Sequence, residues 1–183
     1  AEGREAYVPG DPLDPATTMG PLVTKADQQR VLGMIEAGRA EGARLVFGGD
    51  APEALEPGAF VNPTLFADVN NDMTIARQEI FGPVASIIPF DTVEEALEIA
   101  NDTIYGLGSG VWTRDIHQGK RFISGIQAGR VWFNCYHLYP AHASFGGYKK
   151  SGIGRETHKM MLDHYRHTKN VLMSFDKNPM GFF

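Results

Sequence analysis

The 183-residue sequence is 43% hydrophobic and 21% charged, as an ordinary folded domain is, and its formal net charge of −5 with no Lys/Arg block excludes nucleic acid and anionic membranes as main partners. A single cysteine, Cys135, excludes an internal disulfide framework and fits a reducing compartment. No apolar run is long enough for a membrane-spanning helix and no signal peptide is expected before the first structured segment, so the expectation is a cytoplasmic protein.

Along the chain, Asp11-Pro12-Leu13-Asp14-Pro15 is extended or turning, because each proline fixes its own φ and restricts the residue before it. Thr24 with Asp27 reads as a capping box, and Val31, Leu32 and Ile35 share one face, which predicts a helix over residues 25–41. A short strand over 44–47 closes at Gly48 and Gly49. A loop follows over 50–58, then an extended segment over 60–66 whose Pro63 argues for an edge or irregular strand. A helical turn at 73–78 precedes an apolar strand over 84–90. Thr92 and Glu95 form a second capping box, and Val93, Ala96, Leu97 and Ala100 give the buried stripe of a helix ending near Asn101.

Next come a strand over 109–113, a helix over 115–126 and a strand over 130–134. Strands alternating with amphipathic helices predict an α/β fold, a mostly parallel sheet with flanking helices and right-handed crossovers. The last fifty residues break the rhythm. Residues 135–154 form a long glycine-rich loop whose aromatics (Tyr136, Tyr139, Phe145, Tyr148) favour order. A short helix over 156–164 and a final strand over 170–175 complete the chain. That strand has no hairpin partner nearby and is expected to pair with another subunit.

Cys135 invites a nucleophile reading with His137 or His142 as base, since a thiolate needs a neighbouring base or positive field. Residues two apart on an extended chain do not by that fact become partners, and a small residue buried at a strand end is the plainer reading. His158, His164 and His167 fit no zinc spacing, so no metal is expected and a solvated helix end is the alternative. Gly106, Gly108 and Gly110 precede a strand rather than joining strand to helix, and the run from Gly146 to Gly154 lacks the order of a phosphate-binding loop. Both read as turn or close-packing sites. In Glu79-Ile80-Phe81-Gly82-Pro83-Val84 a carboxylate and an aromatic sit at a Gly-Pro strand mouth. Those groups suit a sugar's hydroxyls and a base, though the same residues could be a strand lead-in.

Three segments, in order and at matching spacing, resemble the aldehyde dehydrogenase superfamily. They are Gln78 to Val84, Asn101 to Gly106 with Leu107, and Phe145-Gly146-Gly147-Tyr148-Lys149-Lys150-Ser151-Gly152-Ile153-Gly154-Arg155-Glu156. The resemblance covers about residues 10–175, and the ending around Cys135 to His142 with Thr157 to Met161 looks closest to the bacterial acetaldehyde dehydrogenase branch. It implies residues 1–168 as the C-terminal part of a catalytic domain and 169–183 as an oligomerisation strand and tail, in a homo-oligomer (a dimer or tetramer). It also implies NAD or NADP as cofactor and a small aldehyde as substrate, oxidised to the acid. By the same resemblance Glu79 holds the nicotinamide ribose, Phe81 lies beside that ribose and ring, and Leu107 touches the nicotinamide. His137, Tyr139 and Phe145 line the substrate tunnel, Glu156 assists proton movement during deacylation, and Cys135 is structural. The family's nucleophilic cysteine, its oxyanion-hole asparagine, its general-base glutamate and its dinucleotide-binding domain would precede the residues present. A fragment inactive alone is the expectation, with a non-catalytic oligomerisation or interaction module as the alternative.

Overall fold

The computed structural model describes residues 6–178 and 181. It divides into two compact units, one up to Thr103 and one from Ile104.

In the first unit, helix α1 (Lys25–Ala40) begins where the Thr24 hydroxyl accepts the Asp27 amide, satisfying a donor that has no partner within the helix. The second half of the capping box differs from expectation, because Asp27 takes the Thr24 hydroxyl at 2.6 Å. Gln28, Val31, Ile35 and Gly38 form the buried face of α1. Gln28 is tolerated there because its amide nitrogen donates to the Phe60 carbonyl at 2.6 Å.

Strand β1 (Arg44–Phe47) runs antiparallel to β2 (Thr64–Ala67), and β2 runs parallel to β3 (Val84–Ser86), in the order β1-β2-β3. One turn of 3-10 helix (Glu53–Leu55) interrupts the predicted loop. The short helix α2 (Thr74–Arg77) has its first amide capped by Glu41 at 2.7 Å. Helix α3 (Val93–Asn101) is capped by Thr92, while Glu95 reaches the Asp91 amide at 2.7 Å. Val31, Ile35, Val61, Phe66, Val69, Ile75 and Ile80 form the core that α1, α2 and the sheet share.

Two predicted strands are shorter than expected. The segment over 60–66 joins the ladder only at Thr64, because Pro63 has no amide to contribute. The segment over 84–90 leaves it at Ser86. After two more bonds, from Ile87 N to the Phe66 carbonyl at 2.9 Å and from Val69 N to the Ile87 carbonyl at 3.2 Å, its neighbour β2 has ended, Asp68 having turned at φ of 58°. Among the surface ion pairs of this unit, two join the start of β1 to the turn after β2 and the end of α2 to the end of α3. Arg44 is held above the ordinary arginine value by its hydrogen bond to Asp68 and then by that carboxylate's charge. Arg77 is raised chiefly by its hydrogen bond to Asp102.

The second unit is a βαβ turn of chain with a long appendage. Strand β4 (Gly108–Val111) pairs in parallel with β5 (Arg130–Phe133), and α4 (Ile116–Gly125) connects them. Asp115 caps α4 by accepting the His117 amide at 2.8 Å. Past β5, a 3-10 turn (Lys149–Ser151) and the short helix α5 (Met160–Asp163) are embedded in irregular chain. With two of the three strand pairings among the described residues parallel, the chain is an α/β fold as the alternation predicted.

The predicted helix over 156–164 is mostly absent. Glu156 instead pairs with Phe145 across an antiparallel bridge, and Thr157 and His158 both sit at φ of 55°, where a right-handed helix cannot start. Nor do residues 170–175 form a strand. A strand exists by its ladder, and among the described residues none offers this segment an edge. Phe66 is fully buried at the centre of the first unit. Phe66→Ala should therefore cost about 3–5 kcal/mol in chemical denaturation. A loss well under that range would show that the core closes over the gap.

Candidate functional site

The segment after α2 alternates exposed, buried, exposed. Ile80 enters the core, while Glu79 is exposed and Phe81 is 72% exposed. Arg30 Nη1 donates to the Ile80 carbonyl at 2.8 Å, fixing the buried residue through its backbone as well as its side chain. Phe81 adopts φ of 48°, a conformation that costs a non-glycine residue about 1–2 kcal/mol. Gly82 then lies directly on Val31, where a Cβ would come within 2.8 Å of both methyl groups. The next residue, Pro83, gives its carbonyl to Thr64 at the head of β2. A carboxylate with no partner among the described residues and an aromatic ring are thus presented to solvent from an anchored turn. These are the groups a ribose diol and a flat heteroaromatic ring require, and the residues present fit a nicotinamide nucleoside.

The second unit carries the other five predicted residues. Leu107, Phe145 and Glu156 line one cleft of about 450 Å³ together with Gly154, Met161 and His164. Phe145 and Glu156 meet there because their backbones exchange two hydrogen bonds, at 2.9 and 2.6 Å. The glycine-rich loop between them folds back onto the start of β4. The Gly106 carbonyl accepts the amides of Gly129 and Tyr148 at 3.0 and 2.9 Å, and its own amide donates to Ser151 Oγ at 2.9 Å. A side chain at Gly106 would strike the Gln127 carbonyl, so the close-packing reading of this glycine holds.

His137 and Tyr139 do not line that cleft. They reach it through a chain of edge-on rings, with His137 to Tyr139 at 4.8 Å and Tyr139 to Phe145 at 5.3 Å between centroids. Trp132 adds contacts to Tyr136 at 5.2 Å and Tyr139 at 5.5 Å. Such T-shaped pairs fix ring orientation as well as burying area. The loop leaves β5 through Asn134, whose side chain exchanges two 2.9 Å bonds with the Thr113 backbone and so clamps the carboxyl ends of β4 and β5.

Cys135 is half-buried just past β5 and makes no hydrogen bond to His137 or His142. Among the described residues no group of three His, Cys, Asp or Glu side chains could hold a metal ion, and no helix is long and apolar enough to cross a membrane. Sequence reading missed Arg130, Trp132 and Arg155. Arg155 Nη1 bonds the Gly147 and Gly154 carbonyls at 3.0 and 2.7 Å. The signal available was an arginine bordering a glycine- or aromatic-rich run, where irregular carbonyls need donors.

The model of the aldehyde dehydrogenase family matches residues 2–171. The chain belongs to that family. A curated acetaldehyde dehydrogenase of Pseudomonas aeruginosa is 53% identical over 177 residues, covering 95% of this chain and 35% of the relative. A long-chain-aldehyde dehydrogenase of an Acinetobacter species is 52% identical over 174 residues, covering 95% and 34%. Among solved structures, the Mycobacterium tuberculosis aldehyde dehydrogenase complexed with NAD+ is similar at a TM-score of 0.89 and 46% identity, covering 100% of this chain and 36% of that one. The chain thus spans about a third of the length of the relatives it matches.

The turn at Phe81 should tolerate glycine thermally, since little buried area is lost and the left-handed strain is relieved. A melt of Phe81→Gly is expected to stay within about 1 kcal/mol of the parent. A larger loss would mean that the ring is held by contacts of its own.

Proposed function

We propose that this chain is the C-terminal part of the catalytic domain of an NAD(P)-dependent aldehyde dehydrogenase that oxidises a small, acetaldehyde-like substrate to the carboxylic acid in the cytoplasm. In this reading it supplies one wall of the nicotinamide and aldehyde sites. The observation that carries it is the anchored turn at Glu79 and Phe81, whose free carboxylate and exposed ring match what a nicotinamide ribose would need. Glu79 accepts from the ribose hydroxyls, Phe81 packs beside ribose and ring, and Leu107 touches the nicotinamide. Phe145, Tyr139 and His137 exclude water from the path of the aldehyde, which strengthens electrostatic interactions inside it. Glu156 assists proton movement during deacylation. When bound, the nicotinamide would supply the acceptor for the hydride that leaves the aldehyde carbon.

Residues 169–183 are assigned to oligomerisation. Leu172 is 90% and Phe175 88% exposed on a segment without a ladder of its own, which fits an edge contributed to another subunit of a dimer or tetramer. The same observation favours the second reading, a non-catalytic interaction module.

Neither reading expects turnover from this segment alone, and the two separate on what its residues do in a full-length subunit. The 183 residues alone should produce no detectable NADH from acetaldehyde and NAD+, because an activated nucleophile and an oxyanion hole each supply orders of magnitude in rate. Turnover by the purified chain would overturn this assignment. In a full-length subunit carrying the segment, Glu79→Gln should raise KM for NAD+ by about tenfold, the worth of one or two charge-assisted hydrogen bonds. An unchanged KM would remove Glu79 from the cofactor site.

A further inference from the structure

Arg130 opens β5, and its guanidinium ends beneath the aromatic loop. Nη1 donates to the Leu138 carbonyl at 3.3 Å and Nη2 to the Ser144 carbonyl at 3.3 Å. These two residues immediately precede Tyr139 and Phe145. One planar group therefore ties down both points from which the rings hang. Its Cζ also lies 5.5 Å from the Tyr139 ring centroid and 5.7 Å from that of Phe145, inside the range of cation–π attraction. The rings themselves stand 5.3 Å apart at 74°. Trp132 reinforces the same point, its Nε1 donating to the Leu138 carbonyl at 3.1 Å.

Arg130 is a poor choice if the position serves only to fill space. Its Nε is buried and finds no partner among the described residues, so an apolar side chain would occupy the volume without orphaning a donor. An apolar side chain could not bind two carbonyls in one plane while facing two rings; nor could lysine, which lacks the fork.

We propose that Arg130 is a positioning residue that sets the separation of Tyr139 and Phe145, and thereby the girth of aldehyde the tunnel admits. This rests on the reading of those aromatics as tunnel lining. Identity over the whole chain does not order substrates here, since relatives named for acetaldehyde and for long-chain aldehydes are 53% and 52% identical to it. Within this segment, local geometry is where such a distinction can be made.

The test is steady-state kinetics on acetaldehyde and benzaldehyde in a full-length subunit carrying this segment, comparing Arg130→Met, Arg130→Lys and Tyr139→Ala. Circular dichroism checks folding, and Arg130→Lys, which keeps charge and most of the volume, covers a methionine variant that does not fold. Loosening the pair should reduce the preference for acetaldehyde over benzaldehyde by about tenfold in Arg130→Met, with an intermediate change in Arg130→Lys. KM for NAD+ should change less than about twofold, since Arg130 meets Leu107 only through its backbone amide, at 3.0 Å, which these substitutions keep. An unchanged preference in whichever arginine variant folds, or an equal loss for both aldehydes, overturns the role of Arg130. If Tyr139→Ala still shifts the preference, the tunnel reading survives that result; if it does not, the tunnel reading fails as well.

Discussion

Irregular backbone has to find hydrogen-bond partners, and in this protein arginine guanidinium groups supply them where it matters. Arg30 takes the Ile80 carbonyl, Arg130 those of Leu138 and Ser144, and Arg155 those of Gly147 and Gly154. Arg77 does the same for Asp102. Each of these carbonyls lies outside a ladder, where no neighbouring strand supplies its partner. A guanidinium suits the task because it presents several donors in a fixed plane. It can also lie over an aromatic ring at the same time, as Arg155 does over Tyr148.

Anchoring loops through their backbone leaves their candidate site side chains unspent. Glu79 and Glu156 engage through main-chain or neighbouring atoms while their carboxylates stay free among the described residues. Phe81 is held in a left-handed conformation by what flanks it, the buried Ile80 and the close contact of Gly82 on Val31, rather than by contacts of its ring. Strain of this kind persists only when the surroundings over-determine it, and it gathers where a group must be presented in one direction. A rigid turn offering free polar groups loses little entropy when a ligand arrives.

Sequence reading worked where local chemistry and burial agree. The helices over Lys25–Ala40 and Val93–Asn101 follow from threonine caps and periodic apolar residues, although the stripe expected to be buried in the second is only half-buried at Val93, Ala96 and Leu97 and exposed at Ala100. The parallel β4–β5 pair follows from strand, helix, strand alternation. It failed where tertiary partners decide. The helix expected from Glu156 was displaced by the Phe145 bridge, a pairing with a residue eleven positions back that no helical periodicity encodes. The strand expected over 84–90 was cut short because a strand lasts only as long as its neighbour. For the candidate site, motif order singled out Glu79, Phe81, Leu107, Phe145 and Glu156 as candidates, whereas it did not single out Arg130. Its role depends on a loop returning to the strand that began it.

What the sequence determined by itself was family membership and the α/β class, and it named the candidate site residues. These are written in residue types at short spacing, where capping, periodicity and turn propensity act over a few positions. Only the tertiary structure decided which of those residues share a cleft, which turn is strained, and which arginine braces which loop. Those facts depend on contacts across long stretches of chain, set by the packing of α1 against Phe66 in one unit and by the β4–β5 pairing in the other.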